Sequence, residues 1–217
     1  MPTVGERRKR LPANWPYARA VETARKKALC RSDYDPAVLV VWGQMQAMGL
    51  LATLKAVERR FGAEGQEVCR QAIASVGYDV GKQLFEGVAA PDELSDAEVF
   101  SLFATWVNEV AYASIEEPAI DGPDECHFDI LYCPHEDTYD KFDCRVQRYF
   151  VEGMVDAAVE RLGRERFDVF FDHSMQQGYP TCRFHIKRRS TETGDPWKEY
   201  TEALQRKALE RASGEGD

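Results

Sequence analysis

Thiols and imidazoles carry most of the nucleophilic, acid–base and metal-binding chemistry available near neutral pH, and here they are crowded together. Of six cysteines and four histidines in 217 residues, Cys126, Cys133, Cys144, Cys182, His127, His135, His173 and His185 all lie between positions 126 and 185. Such a cluster admits three chemistries. A thiolate beside an imidazole can attack an electrophilic carbon while the imidazole moves the proton. Thiolates and imidazoles in tetrahedral array would suit zinc or iron, with Cys133, Cys144, His173 and Cys182 as the ligands. Alternatively, the thiols are small apolar side chains of a core. The spacings do not match a standard zinc module, because there is no CxxC and Cys133-Pro134-His135 is too short for a knuckle.

Strand alternation sorts these residues onto faces. Arg166 to His173 and Pro180 to Arg189 read as two strands around a turn containing Gly178. In the first, Phe167, Val169, Phe171 and His173 share a side; in the second, Cys182, Phe184 and Ile186 do, opposite Arg183, His185 and Lys187. His173 and Cys182 are therefore expected as neighbours on the covered face, with His185 on the solvated one. Cys144 stands in the opening turns of a helix read over Tyr139 to Leu162 and closed by Gly163. A helix N-terminus lowers a thiol pKa, while Asp137, Asp140 and Asp143 beside it raise it, so the sign stays open.

The scaffold that must hold this site reads as helical first. The first 30 residues, with three prolines and the basic run Arg7-Arg8-Lys9-Arg10, are expected to drape on the domain as an extension. Asp35-Pro36 starts a helix on which Val38, Val41, Met45, Met48, Leu51, Leu54, Val57 and Phe61 recur until Gly62. A second helix from about Gln66 to Phe85 turns Val68, Ile73, Val76, Val80 and Leu84 inward. Its Gly77 and Gly81, one turn apart, mark close approach of another helix. Ser95 and Glu98 form a capping box for a third. Strands then follow at Val110 to Glu117 and Glu125 to Cys133, and a last helix starts near Asp195-Pro196 and decays into the 213–217 tail. The fold class is α+β, with N-terminal helices packed on a C-terminal antiparallel sheet of about four strands and an inserted helix. The expected division is an extension over 1–30, one domain over 31–212 and a flexible tail.

The run Phe128-Asp129-Ile130-Leu131-Tyr132-Cys133, then Phe142-Asp143-Cys144 at a helix start, then Gly178-Tyr179-Pro180-Thr181-Cys182-Arg183-Phe184 resembles the L-2-amino-thiazoline-4-carboxylic acid hydrolase family over roughly residues 36 to 189. The layout is also similar to vinyl-reductase-type domains that bind small ligands. The resemblance implies hydrolysis at a C–N bond of a cyclic amidine or related compound. Cys144 would be the nucleophile and His173 the acid and base, with Cys133, Cys182, Asp140 and Arg148 lining the substrate pocket. Arg145, Arg148 and Arg183 are candidates to hold a substrate carboxylate. The other expectation is a ligand- or metal-binding domain without turnover.

Composition bounds the partners. With 28 Lys and Arg against 37 Asp and Glu, the formal charge is −9, which disfavours phosphate-bearing partners, nucleic acid and anionic membrane alike. No apolar run approaches the ~20 residues of a membrane span. The basic run near the N-terminus is not followed by an apolar segment, so the expectation is a cytoplasmic protein with reduced thiols, acting on a small molecule and able to form a homodimer.

Overall fold

The structure is a computed structural model that describes residues 4–140, 142–190 and 196–214. A short helix α1 (Val4–Arg10) is followed by α2 (Ala18–Ala24), which runs on into a π turn over Arg25–Leu29. The long helix α3 (Val38–Phe85) is interrupted at Gly62, whose φ of 61° and ψ of −143° are not helical. It therefore consists of two arms, and the break falls at the glycine that ends the first apolar run. Helix α4 (Asp96–Trp106) carries the expected capping box: the Ser95 hydroxyl accepts from the Glu98 amide at 3.3 Å, and the Glu98 carboxylate accepts from the Ser95 amide at 3.0 Å. It continues into a π turn, Val107–Ala111.

Four strands form one antiparallel sheet: β1 (Ile115–Ile120), β2 (Glu125–Tyr132), β3 (Phe167–His173) and β4 (Cys182–Arg188), in the order β1-β2-β4-β3. Helix α5 (Arg145–Leu162) is inserted between β2 and β3, and α6 (Pro196–Ser213) closes the chain. The α+β class and the inserted helix are as the sequence predicts. Two boundaries move. Val110 and Ala111 are helical and β1 starts only at Ile115; its Pro118 is tolerated because β1 is an edge strand. Tyr139 and Asp140 are irregular and Phe142 to Cys144 form a turn, since the Asp143 carboxylate accepts from the Asp140 amide at 3.1 Å and diverts that backbone from the helix. Asp195 and residues 215–217 lie outside the described residues.

The core is a layer of α4 and α5 side chains against the inner sheet face, where Phe100, Phe103, Val155, Phe128, Ile130, Phe167 and Ile186 are all buried. Phe100 stacks on Phe167 with centroids 4.7 Å apart, and Phe128 on Phe184 at 4.8 Å. On its other side α5 packs on the second arm of α3 with almost no spacing: a Cβ at Gly77 would fall 2.9 Å from the Phe150 Cα, and one at Gly81 2.7 Å from the Ala157 Cβ. Helix–helix contact is thus the reason for that glycine pair.

The N-terminal run packs against α4, and its charges are used. Arg7 is buried and donates to the Ser101 and Thr105 hydroxyls at 2.7 and 3.1 Å; Arg8 pairs with Glu109 and Arg10 with Glu98. Leu11 is buried, and its carbonyl accepts from the Trp106 indole at 2.7 Å.

One expectation about the core is reversed. Val38, Val41, Met45 and Met48 share a stripe with Leu51 and Leu54, but only the last two are buried, against Tyr139, Val146 and Tyr149. The sheet and α5 do not reach the start of the arm, which stands exposed. Val68 and Val76 on the second arm are exposed too, because α5 meets that arm along Ile73, Gly77, Gly81 and Leu84 instead. Cys69 is half-buried, and Cys30 is exposed, its sulfur against the Lys26 carbonyl at 3.0 Å.

Candidate functional site

Three thiols meet at one cavity, and the elements that bring them are of three kinds. Cys133 follows the last residue of β2, Cys144 caps the N-terminus of α5, and Cys182 opens β4 on the inner face beside Phe184 and Ile186. All three line a cavity of about 100 Å³ between the inner sheet face, the end of α4 and the first turns of α5. Most of its wall is apolar, from Phe103, Val107, Phe128, Ile130, Val151, Val169 and Phe171. The polar groups are few: Asn108, Ser114, His135, Gln147, Arg148 and Gln176.

Burial dominates the ionisation of the thiols. It pushes the Cys144 thiol up to about 12, helped by the nearby Cys133 and Cys182 sulfurs and the Asp143 carboxylate. Burial also raises Cys133 and Cys182, the latter against the opposing Met175 amide, which lies 3.3 Å from its sulfur. The opposition left open by the sequence is thereby decided: desolvation and carboxylate outweigh the helix N-terminus, and the resting group is a thiol. Cys126 lies farther along the same face, buried and likewise raised to about 12. It does not line the cavity.

His173 is not at the cavity. The pairing of β3 with β4 slips between Phe171 and His173, so that Phe171 stands opposite Phe184 while His173 stands opposite Arg183. One extra residue in a strand reverses the face of whatever follows it. The imidazole consequently sits on the outer face, its Nε2 3.3 Å from the Thr181 hydroxyl, its Nδ1 3.5 Å from Asp172, and its ring against Tyr179. His173 and Cys144 do both border a second cavity, of about 180 Å³, with Phe142, Tyr200 and Lys207. His185 is on the outer face as expected, stacked on Phe170.

The imidazole at the thiols is His135, two residues after Cys133. Its backbone N–H points at the Cys133 sulfur at 3.5 Å, and its ring stacks on Tyr139 at 4.4 Å. Gln44, from the first arm of α3, fixes the tautomer. The Gln44 amide nitrogen donates to the Pro134 carbonyl, so its carbonyl oxygen must be the group 3.1 Å from His135 Nδ1. His135 therefore carries its proton on Nδ1 and leaves the Nε2 lone pair for proton transfer. Burial lowers its pKa below the ordinary histidine value, which keeps it neutral at pH 7. The only sequence signal for this residue was its place beside Cys133-Pro134 in the loop that feeds α5.

The arginines separate cleanly. Arg145 is spent on structure, bonded through Nε and Nη2 to the two Glu58 carboxylate oxygens at 3.0 and 2.5 Å. Arg183 pairs bidentately with Asp129 on the outer face. Arg148 lines the cavity, braced by the Thr201 hydroxyl at 2.8 Å, the Val169 carbonyl at 2.7 Å and the Tyr200 ring. Asp140, expected in the pocket, is exposed on the far side of the α5 start, 3.9 Å from Arg211. The chain turns it outward, while Asp143 turns inward to pair with Lys55.

A metal reading asks the donors to converge, and among the described residues no group of three or more His, Cys, Asp or Glu side chains does so in a metal-holding arrangement. Cys133, Cys144, His173 and Cys182, the ligands expected for zinc or iron, are therefore not found as one set among the described residues.

Residues 42–186 match the L-2-amino-thiazoline-4-carboxylic acid hydrolase family, and that span contains every residue lining the cavity. A protein of Archaeoglobus fulgidus, described as uncharacterized, is 45% identical over 205 residues, covering 90% of this chain and 88% of that one. Among solved structures, the phenol-responsive sensory domain of the transcription activator PoxR is similar at a TM-score of 0.45, with 16% identity, covering 73% of this chain and 81% of that one. A trafficking protein particle complex subunit 3 from Naegleria fowleri is similar at 0.39, with 10% identity over 68% of this chain and 97% of that one. On the extent of the family match, the chain belongs to the L-2-amino-thiazoline-4-carboxylic acid hydrolase family.

Proposed function

We propose that the chain is a small-molecule hydrolase that opens a C–N bond of a cyclic amidine or related compound in the thiol cavity. Cys144 is the nucleophile, His135 the acid and base, and Arg148 the anchor for a substrate carboxylate; Cys133 and Cys182 are walls. The observation that carries this reading is the meeting of three thiols, a neutral imidazole of fixed tautomer and a guanidinium on one small cavity. At about 100 Å³ it is smaller than the roughly 150 Å³ that admits benzene, so a ring substrate enters only as the cavity walls give way.

Because Cys144 rests as a thiol, proton removal accompanies attack. The sulfur bonds to the amidine carbon as His135 Nε2 takes the proton, and the C=N electron pair moves to nitrogen, which receives that proton. As the adduct collapses, a C=N bond forms to the nitrogen that stays, and the proton this nitrogen loses passes through His135 to the other, which departs as an amine with cleavage of its C–N bond. Water, deprotonated by His135, then hydrolyses the sulfur-linked intermediate and restores the thiol.

The test is turnover of 2-amino-thiazoline-4-carboxylate and related cyclic amidines, followed by mass spectrometry. Cys144→Ala is expected to abolish it with the thermal midpoint nearly unchanged; wild-type turnover in that variant sinks the assignment. The high Cys144 pKa favours a second reading, a ligand-binding domain without turnover. In that case calorimetry registers binding of such rings while no product forms.

A further inference from the structure

A buried polar chain that the proposed chemistry leaves unused ends at the thiol cavity. Arg7, Ser101, Thr105, Glu116 and Asn108 are all buried. The Arg7 guanidinium donates to the Ser101 and Thr105 hydroxyls, the Thr105 hydroxyl to one Glu116 carboxylate oxygen at 2.5 Å, and the Asn108 amide nitrogen to the other at 2.6 Å. A carboxylate and a guanidinium are costly to bury, and these bonds are what offsets the cost.

The backbone departs from regular geometry three times where the last members of the chain come together. Asn108 stands in the π turn Val107–Ala111, Ala113 adopts a left-handed conformation with φ of 50°, and the pairing of β1 with β2 shifts between Ile115 and Glu116. Glu116 is the one buried residue of β1. The Ser114 amide bonds back to the Asn108 backbone carbonyl at 2.8 Å and closes the segment. π turns, strained residues and strand bulges concentrate where a side chain must be aimed.

What this arrangement fixes is the sense of one amide. The Asn108 nitrogen faces the Glu116 carboxylate, so its Oδ1 is turned away from it. That oxygen accepts from no donor among the described residues, and it is not one of the sealed-off atoms left without a partner, which belong to Tyr149, Glu152 and Arg166. It is therefore open, and Asn108 borders the thiol cavity.

We propose that Asn108 Oδ1 accepts an N–H of the bound ligand, so that the cavity selects compounds bearing an N–H donor, and that Glu116 is the positioning residue that holds the amide in this sense. The choice of a cyclic amidine as that ligand rests on the reading of the cavity given above; the acceptor does not. In a mostly apolar wall, a ligand without the N–H leaves the oxygen unpaired, whereas one that carries it completes the bond.

2-Amino-thiazoline-4-carboxylate and 2-methyl-thiazoline-4-carboxylate differ by NH2 against CH3 at nearly equal volume. Calorimetric titration of each into the Cys144→Ala protein reads the ratio of their affinities. The amino compound is expected to bind about tenfold more tightly or better. Asn108→Leu should bring the ratio close to one, and Glu116→Gln, which keeps the size but can also donate, should lower it. General damage weakens both ligands together and leaves the ratio in place. Equal affinities without the Asn108 or Glu116 changes, or a ratio indifferent to Asn108→Leu, overturn the proposal. Should neither ring bind, the cyclic amidine reading fails and the acceptor is tested separately. Wild-type crystals soaked in acetamidinium chloride are expected to hold the cation with a nitrogen within about 3.2 Å of Asn108 Oδ1. A cavity empty of it, or a cation bound away from that oxygen, overturns the proposal. The same soak decides the matter if Asn108→Leu does not fold.

Discussion

Gly153→Ala puts a methyl carbon where α3 and α5 meet backbone to backbone. Built on the structure, that carbon lies 2.6 Å from the Tyr78 amide nitrogen and 2.8 Å from the Ala74 carbonyl carbon, and it also meets the Ala74 carbonyl oxygen. None of these atoms can rotate away, so the helices must part along the interface that seats α5. Overpacking of well-packed interiors costs about 1–3 kcal/mol, and backbone opposition places this case near the upper end. For a chain of this size each kcal/mol is worth about 2–4 °C, so a loss of about 3 kcal/mol lowers the thermal midpoint by roughly 6–12 °C. Calorimetry at one fixed protein concentration is the assay, with Gly122→Ala as control, since a Cβ there meets nothing within 4 Å. A midpoint within about 2 °C of wild type for Gly153→Ala would refute the claim that this contact sets the helix spacing.

Glu58→Ala takes from the buried Arg145 guanidinium its bidentate carboxylate, leaving only the Asp143 carboxylate at 3.5 Å, and is expected to cost about 3 kcal/mol in urea unfolding; a loss under 1 kcal/mol would count against the pair as a structural element. Alkylation of the native protein followed by peptide mapping should label exposed Cys30 well before Cys144, whose thiol burial holds at about 12; equal labelling rates contradict that placement. Burial depresses the His135 pKa, so the unfolded chain binds its proton more tightly than the folded one. Stability is therefore full above about pH 6.5 and falls as the pH drops toward the folded value. His135→Gln should flatten that acid limb, and identical limbs in the two proteins would show that His135 is not buried as described.

Much of the scaffold was legible because its signals are local. Ser95 with Glu98, the break at Gly62 and the end of α5 at Gly163 each depend on a few neighbouring residues, and each is where the sequence puts it. The thiol convergence was legible too, since it needs only alternation in β4 and the position of the α5 start. The imidazole was not. Its identity turns on one extra residue between Phe171 and His173, and nothing in the Phe-Phe-Asp-His run distinguishes a bulge from regular pairing. The arm of α3 was misread for a related reason: periodicity marks an apolar stripe but not whether the chain's own elements are long enough to cover it. Asp140 and Asp143 differ only in the turn between them, and that turn decides which one faces inward.

Cys144 is flanked in sequence by two residues tied to the same helix, Asp143 to Lys55 and Arg145 to Glu58. Lys55 and Glu58 are three residues apart, so these pairs act as a ruler on α3 against which the start of α5 is read. Sliding α5 by one turn would break both at once, and the depth of the sulfur in the cavity is thus specified by α3 rather than by the sheet. Over evolutionary time the pairs at 55/143 and 58/145 should then change together or not at all, while the sheet side of the cavity drifts to fit new rings around a sulfur that stays in place.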